Sequence, residues 1–445
     1  MRAHPLVALL VLLLTPASSG ATTLEDQEIV CRDRNADPSV RIESCTVVID
    51  AGKATEPWAL YDSRGSARME RHDYRNAVQD FTRAVALKPG TATLYDHLGN
   101  AREATGDHAG ALKDLDEAIR LDPRLARAYE DRGVVWTRKG DPDRAIQDLD
   151  EAIRLDPGRM EAWEARGFAW RLMGDLERAL QDYDAALKLD PDDPMSLVGR
   201  AEVRMRSTTP DLAMADLDKA LQVSPSYTRA RIARCLLLRH QGAYDKAIED
   251  GDRALEEEPG NGQALKARAQ AWAAKGDVAR ARQDYDALVQ QVPKNPGSWL
   301  ARGLFLVQQG AFADAANDLA RAADLAPTDA YLPLHLYLAR SLGGVDGRAD
   351  LEKRTAPLDK TAWPGPLVDL YLGRKTVKDV QTLAAPPKLT PAEWQCERSF
   401  YLGMYAVLHG DREEARRQLG ATVDTKVWWF SELAYAEAEL ARPGM

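Results

Sequence analysis

The sequence predicts an all-α protein, an α-solenoid of antiparallel helix pairs, and three periodic features predict it. Prolines stand at Pro89, Pro123, Pro157, Pro191, Pro225, Pro259, Pro293 and Pro327, each 34 residues after the last. Alanines keep the same step: Ala77, Ala111, Ala145, Ala179, Ala213, Ala247, Ala281 and Ala315 form one row, and Ala84, Ala118, Ala152, Ala186, Ala220, Ala254 and Ala322 another, broken by Leu288. Large apolar residues make a third: Phe81, Leu115, Leu149, Tyr183, Leu217, Tyr285 and Leu319, broken by Gly251. Such a period marks a stack of like supersecondary units, none able to bury its apolar face alone. Eight repeats fill residues 58–329.

Each position in the repeat has a structural reason. Tyr61, Tyr95, Tyr129, Trp163, Leu197, Leu265 and Trp299, interrupted by Arg231, are followed four places on by Gly65, Gly99, Gly133, Gly167, Ala201, Cys235, Ala269 and Gly303. The small residues let paired helices approach, and the bulky ones fill the space between neighbouring pairs. Gly106-Asp107, Gly140-Asp141 and Gly174-Asp175 predict the turn between helices, glycine supplying positive φ and aspartate the next N-cap. The proline ends the second helix, because its ring and missing N–H forbid continuation.

A chain of 445 residues has room for two or three ordinary domains or one elongated array. Its apolar and charged fractions, 45% and 29%, suit a soluble folded protein. The net charge of −10, with short basic runs interleaved with acids, argues against nucleic acid or anionic lipid as a partner. Residues 1–21 read as a secretory signal peptide: Arg2 and His4, an apolar run from Leu6 to Leu14, then small residues ending in Ser19 and Ala21, with Ala17 and Ser19 as a second cleavage option. A membrane span needs roughly 20 apolar residues. No cysteine follows the run directly, so no lipid anchor is expected, and no membrane span remains in the mature chain. The expected location is secreted, in the periplasm. Export favours a disulfide between Cys31 and Cys45, which would contribute about 3 kcal/mol by loop closure. Zinc is disfavoured without a nearby histidine or second thiol pair. Cys235 and Cys396 read as lone buried thiols.

The aromatic, small, Ala, aromatic, Ala, Pro pattern in a 34-residue unit resembles the tetratricopeptide repeat (TPR) family. The resemblance implies a right-handed superhelix whose first helices line an inner groove, with capping helices at both ends of the array. By that analogy the groove, and so partner binding, falls to Asp62, Asp96, Asn100, Arg127, Glu130, Arg138, Glu161, Glu164, Phe168 and Arg171. Further along it falls to Met195, Glu202, Arg206, Arg229, Ile232, Arg239, His240, Lys266 and Gln270, becoming more apolar at Leu300, Leu304 and Val307. Family members that clamp a carboxylate use paired Lys and Asn; Asp62 and Asp96 stand there instead, so no such clamp is expected. His240 is expected to be solvated.

Two polar rows repeat strictly. Asp80, Asp114, Asp148, Asp182, Asp216, Asp250, Asp284 and Asp318 hold one position in all repeats; Arg64, Arg132, Arg166, Arg200, Arg234, Arg268 and Arg302 hold another, with Leu98 the exception. Either they grip an extended partner or they brace each hairpin and its neighbour. Sameness favours bracing, since a specific site needs asymmetry.

At the ends, residues 22–57 read as a leader and capping helix, with Asp37-Pro38 starting a helix that Gly52 stops. Residues 330–395 read as a helix followed by a Pro/Gly-rich irregular region. Residues 396–445 read as a divergent hairpin and a last capping helix. Trp428, Trp429 and Phe430 are either a docking patch or the plug of the solenoid's open end, the plug being preferred. The segments Trp363-Pro364-Gly365-Pro366 and Cys396-Glu397 through Tyr401-Leu402-Gly403, with the leader around Cys31 and Cys45, resemble exported NlpI-type TPR proteins. That resemblance implies an envelope adaptor recruiting cell-wall hydrolases to a protease, although this chain has about twice the repeats and no lipid-anchor cysteine.

Seven scattered histidines show no metal-ligand spacing, and no phosphate loop or nucleophile elbow appears. The expectation is a non-catalytic protein without cofactor or metal: a scaffold or adaptor binding proteins or extended peptides, envelope hydrolases or proteases among them. The alternative is a structural subunit of an export or outer-membrane assembly complex.

Overall fold

The computed structural model describes residues 23–206, 210–386 and 389–443; the expected signal peptide, 1–21, lies outside them. Among the described residues every regular element is a helix, and no helix is long and apolar enough to cross a membrane. The chain divides into two compact units, Met1–Pro157 and Gly158–Met445.

The first unit stacks four hairpins: α1 (Leu24–Arg32) with α2 (Pro38–Ala51), α3 (Pro57–Glu70) with α4 (Tyr74–Leu87), α5 (Ala92–Ala104) with α6 (His108–Leu121), and α7 (Ala126–Arg138) with α8 (Pro142–Leu155). Asp37 caps α2, accepting from the Ser39 and Val40 N–H groups at 2.8 and 3.3 Å, and Gly52 ends it at φ 64°. Cys31 does not lie on an irregular leader. It sits in α1, whose start is set by a reciprocal capping box between Thr23 and Asp26. The disulfide Cys31–Cys45 joins α1 to α2 in a small core with Val48 and Leu60. The leader is therefore a complete hairpin that presents α2 to α3 as a preceding second helix.

In the repeats, Gly106 and Gly140 take left-handed φ of 85° and 78° at the turn, and Asp107 and Asp141 cap the following helices. His72 holds the same place in the first repeat at φ 59°. Close approach explains the glycine row. A methyl added at Gly133 would stand 2.7 Å from Leu149 Cγ and 3.1 Å from the Ala145 carbonyl oxygen.

The second unit continues with α9 (Met160–Met173) and α10 (Leu176–Leu189), α11 (Pro194–Met205) and α12 (Pro210–Val223), α13 (Thr228–His240) and α14 (Tyr244–Glu257), α15 (Gly262–Lys275) and α16 (Val278–Gln291), and α17 (Pro296–Gln308) and α18 (Phe312–Leu325). Beyond the repeats, α19 (Tyr331–Leu342) pairs with α20 (Arg348–Thr355). Two short helices follow, α21 (Gly365–Tyr371) and α22 (Val377–Gln381). A long hairpin of α23 (Pro391–Leu408) and α24 (Arg412–Asp424) then leads to α25 (Ser431–Leu440). The expected boundary at 395/396 falls inside α23, because a capping box between Thr390 and Glu393, with Pro391 at the first helical position, starts that helix earlier.

The C-terminal helices share one core with α15–α19, centred on Tyr371, Phe400, Tyr401 and Tyr435. The Tyr371 hydroxyl donates to the Tyr401 carbonyl at 2.7 Å. Glu397 accepts from the Trp363 indole N–H at 2.9 Å, and burial pushes its carboxyl up from 4.5 to about 7. The free thiols of Cys235 and Cys396 are both buried, and burial pushes each up to about 12.

Gly133→Ala is expected to lower stability by roughly 1–3 kcal/mol through overpacking, read from urea denaturation. Glu397 is protonated more readily in the fold than in the unfolded chain. Its contribution is therefore full below its ordinary value of 4.5 and is lost as pH rises through about 7. In thermal melts across that window, Glu397→Gln is expected to make the loss of stability with rising pH shallower.

Candidate partner-binding groove

The repeated arginines sit on the first helix of each hairpin, three residues after the aromatic row, and their planar guanidinium fits two carboxylates at once. Arg132 donates from Nε and Nη2 to Asp148 at 2.8 and 2.6 Å, within its own hairpin, and from Nη1 to Asp116 of the preceding hairpin at 2.7 Å. Arg200, Arg234, Arg268 and Arg302 repeat this fork with Asp216 and Asp184, Asp250 and Asp218, Asp284 and Asp252, and Asp318 and Asp286. Arg166 grips Asp182 by the same two donors. Arg64 grips Asp80 and, where the others meet a preceding aspartate, Thr46 of α2 at 3.0 Å. The aromatic row lies beneath: Arg132 over Tyr129, Arg166 over Trp163 and Arg302 over Trp299, at 5.6, 4.9 and 5.3 Å.

Sequence reasoning missed the preceding-hairpin acids, although Asp116, Asp150, Asp184, Asp218, Asp252 and Asp286 also recur at the 34-residue step. It also missed how the gap at Leu98 is filled. Arg102, one turn later, reaches Asp114 at 2.8 Å, and Arg68 and Arg204 hold the same place beside Asp80 and Asp216. Burial raises the Asp114 carboxyl to about 6, and the Arg102 charge opposes that rise.

In the first unit, the other face of the first helices carries a network from helix to helix. His97 Nδ1 lies 2.7 Å from Asp62 Oδ1, linking α5 to α3. Arg127 meets Asp96 at 3.2 Å and Asp131 at 3.6 Å, and Asn100 donates to Asp131 at 3.2 Å, linking α5 to α7. Arg138 pairs with Glu103 and stays exposed. Two expected lining residues are not surface groups: Asp96 is 1% and Glu130 7% exposed. The cause is that α5 packs against both α3 and α7, which covers its flank and that of α7. Burial, with the Asp131 charge adding to it, raises the Asp96 carboxyl.

In the second unit, Glu161 is exposed and Glu164 half-buried on α9, and the Arg171 guanidinium lies 4.8 Å from the Phe168 ring. Glu202 on α11 bridges Arg171 at 3.5 Å and Arg229 at 2.8 Å. Beyond it the groove is not open. The segment before α25 folds back over the first helices: the Trp428 ring stacks on His240 at 4.5 Å, and Glu393 takes Arg206 at 2.5 Å and the Trp429 indole N–H at 3.0 Å. Arg442 donates to the Val307 carbonyl at 2.6 Å.

Trp428 is therefore neither an end plug nor an exposed patch, because its partner lies on a first helix inside the array, while Trp429 and Phe430 pack with Cys396, Val427 and Leu433. His240 is exposed but carries that stacked indole rather than water alone, and Val307 is fully buried rather than groove-lining. Between α25 and the first helices lies a cavity of about 760 Å³, with Arg206, Arg239, Lys266 and Gln270 on its wall.

The Tetratricopeptide repeat family model matches residues 63–126, 97–159, 137–194, 198–262, 252–296 and 267–330. The chain belongs to the tetratricopeptide repeat family. It is similar to a tetratricopeptide repeat protein of Parabacteroides merdae, at 22% identity over 56% of this chain and 98% of that one, with a TM-score of 0.48. Pseudomonas aeruginosa pilF matches at 20% identity over 48% and 97%, TM-score 0.41. YrrB, a TPR protein with an unusual peptide-binding site, matches at 21% over 40% and 92%, TM-score 0.32.

Arg132→Met is expected to cost roughly 3 kcal/mol in urea denaturation, because it strands the buried Asp148 carboxylate. Asp116, 63% exposed, is expected to cost under about 1 kcal/mol as Asp116→Asn.

Proposed function

We propose that this TPR protein is a non-catalytic scaffold of the cell envelope that holds partner proteins or extended peptides against its first helices. One observation carries the reading. The strictly repeated Arg and Asp side chains are spent on one another, within and between hairpins. The side chains that change from repeat to repeat share the other face of the same helices. A lining of changing charge along a stack of parallel helices suits an extended partner read residue by residue. Export is supported by the disulfide between α1 and α2, a bond that persists in oxidising compartments, together with the signal-like segment ahead of it. Within that frame the chain acts as an adaptor that brings an envelope hydrolase to a protease.

The test is affinity capture from the envelope fraction with the parent chain and with Glu161→Lys, an exposed position outside the Arg–Asp forks. The parent is expected to retain hydrolases or proteases below stoichiometry, and the variant to lose them while melting at the same temperature. Recovery of a fixed-ratio membrane complex, or equal capture by the variant, overturns the adaptor.

A further inference from the structure

Two cations on first helices of the second unit break the pattern that governs the repeated arginines beside them. On α13, Arg229 and Arg234 are both ion-paired, and on α15 so is Arg268. The side chains of Arg239, one turn beyond Arg234 on α13, and of Lys266 on α15 make no hydrogen bond or ion pair with any described residue, and Arg239 Nε is buried without a partner. Both line the cavity under α25. Burial holds the Lys266 ammonium and the Arg239 guanidinium below their ordinary values, and the Arg239 charge adds to the fall at Lys266. Both residues are half-buried, and a cation partly removed from water without an ion pair is a cost to the fold.

The acids nearby relieve it only in part. Glu202 is committed to Arg171 and Arg229, and Glu393 to Arg206. Glu437 on α25 faces the same cavity, and its charge opposes the fall at Arg239 without forming an ion pair. The rest of the wall mixes polar groups, Gln263, Gln270, Gln308 and Gln309, with an apolar part formed by Leu300, Leu304, Phe305 and Phe430. Its volume of about 760 Å³ is that of a small-molecule pocket.

We propose that this cavity binds a small organic anion, a carboxylate on an apolar chain, with Lys266 and Arg239 at its charged end. The site is independent of the scaffold reading, since it is walled by the chain's own helices and needs no protein partner.

The test titrates the full chain with decanoate, decanol and inorganic phosphate by calorimetry and follows the melting temperature. Decanoate is expected to bind and to raise the melting temperature, and decanol and phosphate to bind roughly tenfold more weakly or worse, each lacking one half of the recognition. Without ligand, Lys266→Met and Arg239→Met are expected to melt no lower than the parent, because a half-buried charge without an ion pair is gone. Both are expected to lose decanoate affinity by roughly tenfold or more. Glu437→Gln, at an exposed position, is expected to bind decanoate more tightly, since a competing carboxylate leaves the cavity.

Absence of decanoate binding to the parent, or equal binding by the two Met variants, overturns the proposal. So does a lower melting temperature of both Met variants without ligand, which makes the cations structural. An apolar peptide with a free C-terminal carboxylate that binds more tightly than decanoate, and loses this when amidated, assigns the pocket to a protein end and also overturns it.

Discussion

A helical hairpin of this length has two apolar faces and only itself to cover them, so every hairpin depends on its neighbours. The contact that fixes their spacing is the arginine fork. Its guanidinium uses Nε and one terminal nitrogen on the carboxylate of its own second helix, and the other terminal nitrogen on the second helix before it. One side chain thus ties three helices, and an aromatic ring beneath it limits its rotation. The planar, fully charged group explains why the position is arginine and not lysine. Even where the row fails at Leu98, the buried Asp114 keeps a cation, supplied one turn away. The aspartate is thus the fixed point of the design, because a carboxylate buried against the neighbouring helix must be neutralised from somewhere.

The same demand shapes the start of the array. A first repeat has no preceding second helix, and α2 supplies one: Thr46 stands where later repeats carry aspartate, and Arg64 donates to it. The disulfide then holds α2 to α1, so that the exposed end of the stack is a closed hairpin. The terminal hairpin is held by a covalent bond where interior hairpins are held from both sides.

The repeat was legible because each hairpin solves one packing problem with one residue set. Glycine, alanine, aromatic and proline rows are visible by counting, as are the rows of aspartate and arginine. What counting does not give is which acid meets which arginine, although the second acid row keeps the same period. The short helix α1 was illegible because it shows too little apolar periodicity, and its signature is a capping box and one buried cysteine. The start of α23 was readable from Thr390-Pro391 and Glu393, a local cap that a boundary drawn at Cys396 ignored. The fold-back of Trp428 onto His240 had no local signal, since it joins segments far apart in the chain through ring stacking and a shared carboxylate.

That fold-back separates two uses of one helix. The face of α13 bearing Arg234 is turned to acids that recur in every repeat, and there a charge is a structural fastener. Arg239 lies off that face, beyond the reach of those acids, and the C-terminal helix placed over it brings no ion pair. The chain is rich in acid, 69 Asp and Glu against 59 Lys and Arg, and it supplies a carboxylate wherever an arginine holds hairpins together. A half-buried pair of cations without ion pairs in such a chain is therefore not a shortage of acids. Fold stability alone favours pairing Arg239 and Lys266 or replacing them with apolar residues, so their retention unpaired is a cost that an anionic occupant of the cavity would offset.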